Sequence, residues 1–104
     1  MITFDSLIGK TILVGIKYVD EQGVILKTLQ LHGIVVEANE NDGIGFVISN
    51  TSKTFYLPPD LSAIKIAVEG EYRLKETGEL VINPDFISSW TIETTATKIS
   101  SYFQ

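Results

Sequence analysis

From Lys10 to Thr95 apolar and polar residues alternate in short runs separated by turn-forming clusters, a period of two that predicts strands. In the run Thr11 to Val19, Ile12, Val14, Ile16 and Tyr18 share one face. Asp20 to Gly23 predicts a hairpin loop, with Gly23 available for a positive φ. The next run, Val24 to Glu37, is too long to stay straight. Leu29 and Leu31 lie on one face, but after Gly33 the apolar residues are Ile34, Val35 and Val36. A glycine at such a phase break predicts a bulge or sharp bend at Gly33. Shorter strands follow at Ile44 to Ser49 and Thr54 to Leu57, with Ile44, Phe46, Ile48, Phe55 and Leu57 as core candidates.

Neither Pro58 nor Pro59 can donate to a ladder, so the strand stops there and Asp60 is placed to cap a brief turn through Ala63. Ile64, Ile66 and Val68 alternate again. Glu71 to Glu76 and Glu79 to Ile82 flank Thr77-Gly78 as a second hairpin, and Asn83-Pro84-Asp85 turns the chain into a last strand. There the alternation places Trp90 and Ile92 on one face, which predicts a largely buried Trp90. At the other end, Phe4 to Gly9 suits one helical turn capped by Asp5 or Ser6. The Ser/Thr-rich stretch 96–104 is weakly patterned and is expected to be loose. Together these elements predict a single all-β domain of about seven or eight strands, mostly antiparallel, with little helix. The expected architecture is a bent-strand, partly open barrel over 5–68, with an added C-terminal hairpin and strand over 69–95.

Composition narrows the options. The 104 residues suffice for one core but not two, and 44% apolar content supports a packed domain. Charged or polar residues interrupt every apolar stretch before the roughly 18 positions a membrane helix needs. The start has no basic segment leading into an apolar one, so no signal peptide is expected and a cytoplasmic location is. With no cysteine, disulfides and thiolate metal sites are excluded. Eight basic against thirteen acidic residues give a net charge of −5. The bases are scattered, with only Arg73 and Lys75 close in sequence. Nucleic-acid backbones and anionic membranes are thus disfavoured partners, and a basic protein surface is favoured.

The opening Leu7-Ile8-Gly9-Lys10-Thr11-Ile12-Leu13-Val14, the long bent strand with Gly33 and the short strand pair after it resemble the Sm/SH3-like small barrels over residues 5–68. Sm-type RNA binding uses an Asp and an Asn in the loop after the bent strand. Asn39, Asn41 and Asp42 stand there in a different order and spacing, so that site is not carried over. Leu7 to Gly23, His32-Gly33, Leu57 to Leu61, Glu71 to Leu74 and Asn83 to Phe86 with Trp90 are similar to a group of small bacterial all-β proteins without an assigned activity. That resemblance implies a compact bacterial β-domain and no particular reaction.

Candidate chemistry is sparse. His32, the single histidine, has no second His or Cys with which to build a metal site, and a lone strand histidine is expected to be structural. Asn39 to Gly43 fails as an EF-hand loop: with Gly43 as the sixth position, Ala38 and Ser49 occupy the first and twelfth. Carboxylate pairs could be drawn from Glu37, Glu69, Glu71, Glu76 or Glu79, but thirteen acids produce pairs by chance. No catalytic residue and no cofactor are expected. The aromatics near the prolines offer more: Tyr56, Pro58, Pro59 and Tyr72 could form a peptide-docking surface, or equally close a small core. The expected function is therefore a small acidic protein-binding module, in one concrete form an immunity-type or accessory protein of a bacterial system. The alternatives are an Sm/SH3-like nucleic-acid module and a small hydrolase.

Overall fold

In a computed structural model, described for residues 1–94, about 54% of the described residues are strand and 7% helix, an all-β fold. The loose tail expected at 96–104 lies outside the described residues. A helical turn α1 (Phe4–Leu7) leads into β1 (Thr11–Val19), β2 (Ile25–Asn39), β3 (Gly43–Ile48) and β4 (Thr54–Leu57). A 3-10 turn (Leu61–Ala63) then precedes β5 (Ile64–Ile66), β6 (Glu71–Arg73), β7 (Leu80–Ile82) and β8 (Phe86–Glu93). The order in the main sheet is β4-β3-β2-β1-β8-β5, and β6-β7 forms a separate two-stranded sheet. The pairings are antiparallel except β1 with β8, which run parallel from Ile12↔Phe86 to Val19↔Glu93. The last strand therefore lies inside the main sheet, between β1 and β5.

Side chains of one sheet face make the core. Ile12, Val14, Ile16 and Tyr18 of β1 are buried with Val35, Ala38, Ile44, Phe46, Leu57, Ile64 and Phe86, and Leu7 of α1 joins them. Leu57 and Ile64 belong to opposite edges of the sheet, yet share this cluster. Six flat strands would hold the edges about 24 Å apart. The link Pro58 to Ala63, shortened by its 3-10 turn, reaches only about 19 Å. The sheet is therefore strongly curled. Its edges β4 and β5 do not pair, so no closed barrel forms among the described residues. Inside, the buried Ser88 hydroxyl donates to the Ala63 carbonyl at 2.8 Å and holds the end of that link against β8.

Several expectations are corrected. The cap of α1 is Thr3, not Asp5 or Ser6: its side chain accepts from the Ser6 N–H, and its own N–H donates to Ser6 Oγ. The bulge expected at Gly33 falls at Val36 instead. Val35 faces Phe46 and Glu37 faces Gly45, which leaves Val36 unpaired and resets which residues face inward. Gly33 is required for a different reason. It sits in regular register with Ile12 and Ile48, where the strands approach so closely that a Cβ would lie 1.8 Å from the Val47 carbonyl oxygen. Of Ile64, Ile66 and Val68, only the first is buried; β5 ends at Ile66, where its partner β8 begins at Phe86. Trp90 and Ile92 do pack against the core, but both are only partly buried.

The parallel pair is pinned at its start. Asp85 Oδ2 accepts from both the backbone N–H and the hydroxyl of Thr11 at 3.0 Å, and the Asp85 N–H donates back to Thr11 Oγ1 at 3.0 Å. The Thr11 backbone bond and then its hydroxyl hold the Asp85 carboxyl below the usual carboxylate range, with Lys10 assisting and desolvation opposing. A depressed carboxylate stabilises the fold above its unfolded pKa, and that contribution is lost as pH falls through the lower folded value. In Asp85→Asn the fall in urea midpoint between neutral pH and about pH 3 should therefore be smaller than in the wild type.

The two strand glycines should respond oppositely to one methyl group. Gly33→Ala is expected to cost about 3 kcal/mol or to prevent folding, because the obstructing atoms are backbone. Gly15→Ala, where a Cβ would meet nothing within 4 Å, should fall within about 0.5 kcal/mol of wild type or above it. Urea denaturation of both variants checks the pair.

Candidate functional site

The outer face of the main sheet is divided. Over β1 and β8 lies the hairpin β6–β7, whose Leu74 and Val81 form a small second cluster with Leu13, flanked by Tyr72 and Ile87. Over β2, β3 and β4 the same face is open. Ile34 pairs with Val47 on it, and a second row runs Glu37, Gly45, Tyr56 across three strands. Val36, pushed out by the bulge, stands between the rows. Ile34 and Val36 are each 51% exposed and Tyr56 49%, so the open half carries a run of large apolar groups.

Gly45 explains how Tyr56 is held. A Cβ at that position would lie 2.7 Å from Tyr56 Cε2, so the ring lies flat across the glycine. From there the phenol donates to Glu37 Oε2 at 2.6 Å, bridging β4 to β2 over β3. That hydrogen bond first, then desolvation and the charges of Glu37 and Asp42, raise the phenol above the usual tyrosine range. Asp42 lines the same surface depression as Glu37 and Tyr56. The loop that carries it is built by Asn39, whose Oδ1 accepts from the backbone N–H groups of Asn41 and Asp42 at 2.9 and 2.7 Å. Gly43 closes this loop at φ 89. The result is a rigid aromatic with an acidic border.

Of the residues singled out in the sequence, Tyr56, Pro58 and Pro59 are exposed at or just beyond the β4 edge. Tyr72 is elsewhere: it packs in the hairpin cluster with its hydroxyl donating to the Val68 carbonyl at 2.6 Å, and the sheet beneath it is β1, about 14 Å or three strand spacings from β4. The structure does not bring Tyr72 together with Tyr56. Ile34 and Val36 complete the face instead. Their signal was the triplet Ile34-Val35-Val36, since three consecutive strand residues cannot all point inward. His32 sits on the outer face of β2, its Nε2 3.1 Å from Glu79 Oε1. A cavity of about 300 Å³ with a mixed lining opens over Gly15, bordered by Lys17, Gln30, Lys75 and Glu76 together with Leu29 and Trp90. Among the described residues, no three His, Asp or Glu side chains gather closely enough to hold a metal ion.

No protein-family model, curated protein or solved structure matches the chain. Likewise, no helix among the described residues is long and apolar enough to cross a membrane.

The bridge to Glu37 makes Tyr56 testable in isolation. Because the raised pKa favours the protonated phenol, its stabilising effect is present below the usual tyrosine range and lost as pH rises through the raised value. Glu37→Gln should return the Tyr56 titration toward ordinary tyrosine, and Gly45→Ala should do the same by displacing the ring. Phenol titration followed by NMR at the Tyr56 ring carbons would show it.

Proposed function

We propose that this chain is a small acidic protein-binding module, and that its docking surface is the open half of the outer sheet face. The observation that carries this reading is the set Ile34, Val36 and Tyr56, each about half exposed on one rigid face, bordered by Glu37 and Asp42. Apolar groups in the centre and charge at the rim are the anatomy of a protein interface. The rim is acidic and the net charge is −5, so the partner of stated chemistry is a protein presenting a basic surface. Pro58 and Pro59 extend the face beyond the end of β4 and stop that edge from growing into a longer ladder. The finer fold assignment, an SH3/Sm-like partly open barrel, is supported by the curled sheet and the 15-residue bent β2. An immunity-type or accessory role in the bacterial cytoplasm would suit a module that acts by covering a basic surface. Catalysis and nucleic-acid binding are not part of this proposal.

With the host partner isolated on the immobilised chain, association should slow severalfold as salt rises, while dissociation changes little. Tyr56→Ala should weaken binding by about tenfold or more, and Val24→Ser, on the remote β1–β2 turn, should leave it unchanged. Sub-micromolar binding to RNA or DNA at physiological salt would overturn the reading. So would turnover of a substrate that is lost on replacing His32.

A further inference from the structure

The hairpin is attached to the sheet by few groups. Its apolar underside is Leu74 and Val81 on Leu13. Two polar links cross from it to β2: the Lys75 N–H donates to Gln30 Oε1 at 2.7 Å, and Glu79 Oε1 approaches His32 Nε2 at 3.1 Å. Its neck is the pair Gly70 and Asn83, where the Gly70 N–H donates to Asn83 Oδ1 at 2.8 Å and the Asn83 N–H to the Gly70 carbonyl at 2.9 Å. Both neck residues hold positive φ, 152 for Gly70 and 48 for Asn83. A swing of the hairpin would concentrate its backbone rotation at such a neck.

The His32 contact is an unusual one for a structural histidine. Nε2 is buried and within ion-pair distance of the carboxylate, but the ring N–H is not aligned on it, so the atom makes no hydrogen bond. The contact is favourable chiefly as a charge pair. A neutral ring leaves a buried nitrogen unsatisfied beside a carboxylate. We propose that His32 and Glu79 form a proton-dependent latch: the imidazolium holds the hairpin closed over Leu13 and Ile87, and loss of the proton loosens this cover.

The surroundings leave Glu79 as the ionic partner. Thr11, with its hydrogen-bonded Asp85, and Leu13 lie on β1, and Asp85 is engaged by Thr11. From β3 and the turn after it, Val47 to Thr51 bring no charge to the cavity that His32 lines. The hairpin turn carries Lys75 and Glu76 besides Glu79; among the described residues, Glu79 is the carboxylate within ion-pair distance of the ring. The attraction requires a protonated imidazole and an ionised carboxylate. It is lost when the imidazole gives up its proton or the carboxylate takes one.

His32 borders the same shallow cavity, of about 390 Å³, as Ile34 and Val47. Opening the hairpin would therefore add Leu13 and Ile87 to the apolar face described above. That consequence rests on the docking function; the latch itself does not.

Hydrogen exchange at the Lys75 amide of the full chain reads the latch directly, because its bond to Gln30 crosses between the layers. A two-stranded hairpin freed from its support has marginal stability. After correction for intrinsic rates, Lys75 should be about two- to fivefold better protected near pH 5.5 than near pH 7.5, the range a partly exposed ion pair supports. Glu79→Gln should abolish that difference while leaving the urea midpoint followed at Trp90 close to wild type. His32→Gln should do the same, and if it fails to fold, Glu79→Gln alone decides. Equal protection at both pH values in the wild type would overturn the latch, as would a pH dependence that survives in Glu79→Gln. No partner enters this experiment, so its failure is separate from any failure of the docking proposal.

Discussion

A parallel strand pair cannot be closed by a tight turn, and among the described residues the long connection between β1 and β8 carries β2 to β7. Strand β1 consequently has a strand on each side and meets packed side chains on both faces. Its inward residues Ile12, Val14, Ile16 and Tyr18 supply the centre of the main core, and its outward Leu13 receives the hairpin. The reciprocal bonds between Thr11 and Asp85 set the register at one end, and the Thr94 N–H bonded to the Val19 carbonyl at 2.8 Å sets it at the other. The curl of the sheet follows, since β4 and β5 are its two edges and are tied by one short link.

Curling the sheet buries the centre of its inner face and leaves the outer face to be managed piecemeal. The hairpin covers the part over β1 and β8. The part over β2, β3 and β4 stays open, and what it displays is decided by two backbone features. The bulge at Val36 turns Glu37 outward, and Gly45 leaves a flat floor on which Tyr56 can lie to reach that carboxylate. An aromatic held in this way has already lost most of its rotamer freedom, so a partner binding to it need not order it.

The same division places the one histidine at a boundary. His32 faces outward on β2, between the covered and open halves, with Glu79 of the hairpin against it. A charge pair at the seam between a small apolar cluster and a half-exposed face affects whether the cover stays closed far more than it affects the main core.

Much of this fold was legible in the sequence because alternation at period two is a local consequence of one-sided burial. Ile12 to Tyr18 on one face, the core positions Ile44, Phe46 and Leu57, and the stop at Pro58-Pro59 all follow from chain stereochemistry and the demand to bury apolar surface. The pairing of distant strands did not follow. Whether Phe86 to Glu93 lies beside β1 or on an outlying hairpin leaves the same local pattern, because either neighbour buries one face. Gly33 stood out in the sequence, yet its reason, a backbone approach by Val47, exists only once β2 and β3 are paired, and the bulge fell three residues later where the two ladders had to be rephased. The docking face was half legible for the same reason. Tyr56 and the prolines could be named from their place beside a strand end, but their union with Ile34, Val36 and Glu37, and the separation of Tyr72, depend on strand order across the sheet. Strand order is decided by long-range contacts that no local run of residues encodes.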